Sequence, residues 1–447
     1  MTVIEHIGSR VRLVTRAFGS RDYRLYFFGL AVSMTGSWMQ NVAMGWLVCR
    51  LTSEAMKGGL VGFVTKSALV LGVVGFLGQI PSLLLGPVAG VMLDRIGKRR
   101  VIIITQSLAA VQAFALALLV FSHSIAIWHI IVLALFIGCV NAVDVPARQS
   151  FVVHVVGNRD HLGNAIALNS VIFNSARLLG PSLGGLVITV FGNEGICFLA
   201  NAVSYGAAIG ALVMLRTREQ IVPRAAPRFL HELREGVRAA FGSPAVRALL
   251  LLTGWTSLVA MPYGTLVPLF ARDILKGNAQ TFGFLHSSVA VGALCGALYL
   301  ASRASIKGLG SVVALASMLC GIGLTGFALS RHMQISMIMM AITGLGVLMQ
   351  LASTNTLIQT LVDDDKRARV LSLYTTSMFG IVPCGCLLFG WLAQRIGAPR
   401  AQFIGGMLTI CAALVYATRL PALRAVLGPL YHKVKLAFRL GPPLDGA

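Results

Sequence analysis

Twelve long stretches nearly free of charge run along the chain, at about 25–48, 68–93, 101–121, 126–147, 165–190, 195–215, 248–270, 280–300, 309–330, 334–359, 370–393 and 401–418. Each is close to the roughly 20 apolar residues that cross a hydrocarbon core. Lipid offers backbone amides no partner, so such runs must be helices or closed barrels. Continuous hydrophobicity without period-two alternation selects helices. The expected fold class is an all-α integral membrane protein with twelve transmembrane helices. The longest polar stretch, 216–247, holds seven Arg, three Glu and three Pro and divides the spans six and six. The expected organisation is an N-terminal segment 1–24, a six-helix half 25–215, a linker 216–247, a second six-helix half 248–418 and a tail 419–447. Gly185, Gly192 and Phe198 recur 205 residues later as Gly390, Gly397 and Phe403. Two six-helix repeats are the signature of a large transporter class.

Composition agrees. Of 447 residues, 56% are hydrophobic and only 12% charged, against about 25% charged in soluble domains. A cytosolic enzyme or secreted module is excluded. The net charge of +22 would suggest nucleic acid in a soluble protein, but topology explains it here. With the N-terminus inside, 28 Lys and Arg fall on the inner side and 8 on the outer, which predicts an inner-membrane protein with both termini cytoplasmic. Five arginines between Arg10 and Arg24 precede the first span, and no convincing cleavage site follows it, so that span is expected to be retained. Eight scattered cysteines predict packing roles, not disulfides or a metal centre. No GxxxxGK[ST] loop is present, so ATP is not the direct energy source. No cofactor, metal, nucleic-acid partner or enzymatic activity is expected; the expected partners are a small-molecule substrate, membrane lipid and protons.

Two motifs carry more. The loop after span 2 reads GVMLDRIGKRR, with Gly90, Asp94, Arg95, Gly97 and Arg99. A carboxylate there can cap a helix N-terminus, and the basic run suits an anionic leaflet. Span 5 contains NSARLLGPSLGG, in which Gly180, Pro181, Gly184 and Gly185 permit bending and close packing. Together with DYRLYFFGLAVSMTGSWMQNVAMGWLVCRLT, GFLGQIPSLLLGPVAG, NAVDVPARQSFV, NAIALNSVIFNSARLLGPSLGG and RARVLSLYTT, these stretches resemble the major facilitator superfamily, in its enterobactin-exporter-like efflux permease branch. The resemblance implies the major facilitator fold and proton-driven export of a siderophore-like or amphiphilic compound by alternating access. Gating is then implied for the signature-loop residues and the Gly-Pro motif. An importer or lipid-type flippase of the same fold is the alternative within the class; a transport-dead sensor or membrane-embedded enzyme is the alternative outside it. Three departures stand out: Ser37 replaces an Asp common in the branch, residues 53–66 read as an insertion lengthening the loop between spans 1 and 2, and SRASIKG after span 8 lacks an acid.

Asp144 and Arg177 are the only charges inside the spans. A mid-membrane Arg costs at least roughly 2.5–3.5 kcal/mol and needs a partner or water. Arg177 is expected to bind an anionic substrate group or a gating carboxylate, or else to pair structurally with Asp144. Asn169, Phe173 and Arg177 share one helix face and are expected to line the cavity. In span 1, Ser37, Gln40, Asn41 and Met44 form a polar stripe beside Trp38 that lines the cavity or glues helices. Asp144 and Arg148, four apart around Pro146, form either a gate with Asp94 or a simple i,i+4 pair. His286 in span 8 is expected to be packed and hydrogen-bonded, with proton coupling as the alternative. Trp255, Tyr263, Gln350 and Asn355 are weaker candidates in the second half.

Overall fold

The computed structural model describes residues 16–57, 67–156, 161–216, 229–303 and 305–440, and every regular element among them is helical. The first half holds α1 (Arg21–Lys57), α2 (Ser67–Ile96), α3 (Lys98–Phe121), α4 (Ile127–Val156), α5 (Leu162–Phe191) and α6 (Gly195–Met214). A short helix, α7 (Phe229–Gly242), lies in the linker. The second half holds α8 (Pro244–Val259), α9 (Tyr263–Leu269), α10 (Ala279–Ala301), α11 (Leu309–Leu329), α12 (Met333–Leu361), α13 (Asp364–Thr375), α14 (Val382–Ile396) and α15 (Ala398–Leu440). Span 7 is α8 and α9, interrupted at Pro262, which lacks the amide that would continue the ladder, and extended by a π turn at Phe270–Ile274. Span 11 is α13 and α14, joined through a second π turn at Thr376–Gly380.

Eleven helical stretches among the described residues are long and apolar enough to cross a membrane. The remaining expected span is α1, whose 37 residues extend about 55 Å; Ser33, Ser37, Gln40 and Asn41 lower its hydropathy. All twelve expected spans therefore fall on helices. The expected insertion needs correction at its start, because α1 continues helically through Lys57; residues 58–66 lie outside the described set.

Four glycines with positive φ turn the helix corners: Gly97 (90°), Gly192 (66°), Gly308 (81°) and Gly397 (89°). Side chains strain that conformation and glycine does not. The four pair across the repeat: Gly97 and Gly308 follow spans 2 and 8, while Gly192 and Gly397 follow spans 5 and 11.

Two compact units partition the chain. The first comprises Met1–Ala226, Gly264–Ala290 and Cys386–Ala398; the second comprises Pro227–Tyr263, Val291–Gly385 and Pro399–Ala447. The first unit thus contains the whole first half plus the end of span 7, the start of span 8 and the end of span 11. Part of its core is built on Tyr23, Tyr26, Ile102, Phe151, Leu168 and Leu212. Its buried polar groups satisfy one another across helices, as the bilayer demands: Ser33 donates to Gln106 (3.0 Å), Gln40 to Gln112 (3.0 Å) and Asn201 to Gln40 (2.8 Å). The second unit packs around Leu249, Val313, Leu357, Ile358, Val370 and Tyr374. There Gln350 donates to the Thr256 hydroxyl at 2.9 Å, and the Ser257 hydroxyl to the Met378 carbonyl at 3.1 Å.

Candidate functional site

A cation, three aromatic rings and an imidazole gather inside the first unit. Arg177, on α5, places its guanidinium carbon 5.9 Å from the Trp38 ring centroid, within the range of a cation–π contact. Trp38 meets Phe173 edge-on at 6.1 Å and His286 at 6.1 Å, and Phe282 meets His286 at 5.9 Å. Phe173 remains 44% exposed. Asn169, one turn further along the same α5 face, is half-buried. Arg177 makes no ion pair among the described residues. His286 is packed against Trp38 and Phe282 as expected, but its buried Nδ1 has no hydrogen-bond partner among the described residues.

The alternative pairing of Arg177 with Asp144 does not form. Asp144, 1% exposed, takes Nε of Arg148 at 2.6 Å, the Thr105 hydroxyl at 2.7 Å and the Gln106 amide at 3.0 Å. It is an i,i+4 pair anchored to α3.

The polar stripe of α1 splits. At 100° per residue, Trp38 and Gln40 sit about 160° apart round the helix, so they cannot face one cluster. Gln40 is buried and spends its amide on Gln112 and Asn201; it is glue between α1, α3 and α6, and the expectation that it lines a cavity is withdrawn. Ser37 bonds to Tyr205 at 3.1 Å on the same side. Asn41 is exposed. In the second unit, Trp255 donates to the Leu408 carbonyl at 3.2 Å, Tyr263 is buried, and Asn355 accepts from Gln359 at 3.2 Å.

The expected gating residues fall in two places. Gly90, Asp94 and Arg95 belong to the last turns of α2, with their side chains outside the described set. Gly97 turns the corner, and Arg99 donates to the Val213 carbonyl at 3.0 Å. The Gly-Pro motif forms a double seam. A Cβ on Gly180 would stand 2.5 Å from Trp38 Cβ, and one on Gly184 would stand 2.9 Å from the Met39 carbonyl, so both glycines admit α1. A Cβ on Gly185 would stand 2.5 Å from the Ala279 carbonyl, and Gly283 in turn admits the Pro181 carbonyl, so this side admits α10. Ser182 and Ser287 hydroxyls, 2.7 Å apart, and the Gln280 amide donating to Thr189 at 3.2 Å continue that seam. A third small-residue crossing joins α2 to α14, where Gly72 faces Gly390 and Gly75 faces Cys386.

Four charged residues at the same end are invisible in the spans because they flank them. Arg50 forms a two-pronged bond to Glu194 (3.0 and 3.0 Å), which is buried. Arg272 donates to the Cys49 carbonyl and to the Ser53 hydroxyl (2.6 Å) and is held by Asp273 (2.6 Å). A lone Arg or Glu beside a span gives no sequence signal of its partner; their places at helix ends facing the same side were the available clue.

Many long apolar helices, with glycine seams and a cationic and aromatic cluster in the first unit, are the features of a transporter of the major facilitator fold. The family described as transmembrane secretion effector matches residues 18–440, and the chain belongs to it. It is 28% identical over 403 residues to the staphyloferrin A transporter of Staphylococcus aureus (strain NCTC 8325 / PS 47), covering 88% of this chain and 94% of that protein. It is 25% identical over 380 residues to macrolide efflux protein A of Streptococcus pyogenes, covering 83% and 93%. Among solved structures, a POT family transporter in complex with 5-aminolevulinic acid superposes with a TM-score of 0.70 at 13% identity, covering 90% of this chain and 97% of that one. A bacterial homologue of the human lysosomal transporter Spinster gives 0.62 at 13% identity, covering 92% and 98%. These likenesses agree with the resemblance seen in the sequence, and the chain is a multi-pass membrane transporter of small molecules.

Proposed function

We propose that the protein is an inner-membrane exporter, both termini cytoplasmic, that moves a small organic anion of amphiphilic or siderophore-like character outward by alternating access, driven by the proton gradient. The observation that carries this reading is the guanidinium of Arg177, without an ion pair among the described residues, beside Trp38 and the exposed Phe173. A permanent cation walled by aromatic rings attracts an anion with an apolar body. Asn169 and Asn41 add polar contacts at its edge, while Asp144, Arg148, the signature loop and the Gly-Pro seams serve gating. Arg cannot release the coupled proton; His286, in the same cluster and with Nδ1 unbonded among the described residues, is the titratable side chain we assign to it. Export is supported by the efflux relative and by the Gly-Pro motif, and the siderophore-like class by the staphyloferrin A relative.

The test compares efflux and membrane abundance for Arg177→Lys and Arg177→Met. Lysine does not reproduce a planar fork, so it should lose most efflux and methionine all of it, at unchanged abundance. Wild-type efflux from Arg177→Met would refute the assignment.

A further inference from the structure

The seam between the first and last helices of a repeat differs in the two halves. In the first half, α1 and α6 close on each other through Gly29 against Ala211 and Gly36 against Asn201. In the second half, the corresponding helices α8 and α15 leave a cavity of about 670 Å³, a volume that suits one ligand. Its walls are aliphatic, including Leu251, Leu252, Leu408 and Val415, and it holds two cations, Arg247 and Arg419.

Those cations lie at one end. Trp255 donates to the Leu408 carbonyl at 3.2 Å and so marks where the two antiparallel helices cross. Arg247 stands eight residues before Trp255 and Arg419 eleven residues after Leu408, hence about 12 Å and about 16 Å from the crossing in the same direction, at 1.5 Å per residue. That length matches one leaflet, about half of a 30 Å hydrocarbon core. Both arginines are exposed, and neither has an ion pair or side-chain hydrogen bond among the described residues. The groove is charged at the linker and tail end and apolar for one leaflet's depth beyond it.

We propose that this groove is a binding site for one anionic phospholipid, its phosphate held between Arg247 and Arg419 and an acyl chain lying along Leu251, Leu252 and Val415 towards Trp255. Guanidinium forks suit phosphate oxygens, and basic pockets between spanning helices take anionic headgroups. A zwitterionic lipid fits the same walls but brings its own cation to the arginines. The site shares no residue with the Arg177 cluster.

The test uses the full-length chain in detergent, titrated with phosphatidylglycerol or phosphatidylcholine of identical acyl chains and read by native mass spectrometry. The first phosphatidylglycerol should bind at least about tenfold more tightly, a difference of about 1.4 kcal/mol. The Arg247→Ala/Arg419→Ala variant should lose this preference, and Arg247→Lys/Arg419→Lys, which keeps both charges but not the planar forks, should retain part of it. Cys411, exposed in the groove wall, reports location. Its alkylation in the wild-type protein, followed peptide by peptide, should slow when phosphatidylglycerol is bound and be unaffected by inorganic phosphate. Equal affinity for the two lipids, a preference that survives the double alanine change, an unprotected Cys411 at saturating phosphatidylglycerol, or protection by phosphate alone would each overturn the proposal.

Discussion

Adding one methyl group at Gly185 should pry open the seam between α5 and α10. Its Cβ would lie 2.5 Å from the Ala279 carbonyl oxygen, 2.9 Å from Gln280 Cα and 3.1 Å from the Ala279 carbonyl carbon, all backbone atoms with no rotamer to escape into. Ordinary contact begins near 3.4 Å, so the helices must part by about 0.9 Å. Overpacking of this kind costs roughly 1–3 kcal/mol, and at 1.4 kcal/mol per tenfold the closed seam should lose about 5- to 140-fold in population. Cys386 reads this out, because it is buried where α14 packs on Gly75 of α2, at the same end of the unit. In Gly185→Ala its alkylation by N-ethylmaleimide in native membranes should accelerate within that range. The control is Gly206→Ala, where an added Cβ meets nothing within 4 Å, and which should label at the wild-type rate. Wild-type labelling of Gly185→Ala, or equal acceleration by Gly206→Ala, would refute the idea that the seams open together.

Two further substitutions test the polar interior. Asp144→Ala strands Arg148 and the Gln106 amide; breaking a buried pair costs about 3–5 kcal/mol, so Tm in detergent should fall clearly, whereas Asp144→Asn should fall less because it keeps an acceptor for Thr105 and Gln106. Gln40→Leu removes two interhelical bonds worth about 0.6 kcal/mol each; a small loss of Tm with unchanged transport KM is expected, and a raised KM would restore Gln40 to the substrate path.

The spans were legible because lipid leaves an apolar run no alternative to a helix, and α2, α3 and α5 begin and end within a few residues of their expected limits. The seam glycines were legible as a motif, but their division of labour was not. Gly184 and Gly185 are neighbours in sequence, yet a 100° step sends one to α1 and the other to α10. The same step defeated the α1 stripe, in which three-to-four spacing placed Gln40 and Asn41 together although they flank Ser37 on opposite sides. Partner choice was the least legible feature. Asp144 has Arg148 within one turn and takes it, leaving Arg177 to an aromatic ring, and nothing local to Arg272 foretells the Cys49 carbonyl.

The unbroken length of α1 has a mechanical consequence. A helix of 37 residues is a stiff rod about 55 Å long, and its two ends are engaged differently. Near one end Tyr23 holds the Ala165 carbonyl at 3.0 Å, and near the other Cys49 and Ser53 receive Arg272. Pivoted at its middle, the rod carries each tip about 5 Å for a tilt of about 10°. That swing far exceeds the stretch a 2.6 Å contact such as Arg272 to Ser53 can survive. A lever this long therefore converts a small rotation at one face of the bundle into complete release at the other, without melting a single turn of helix.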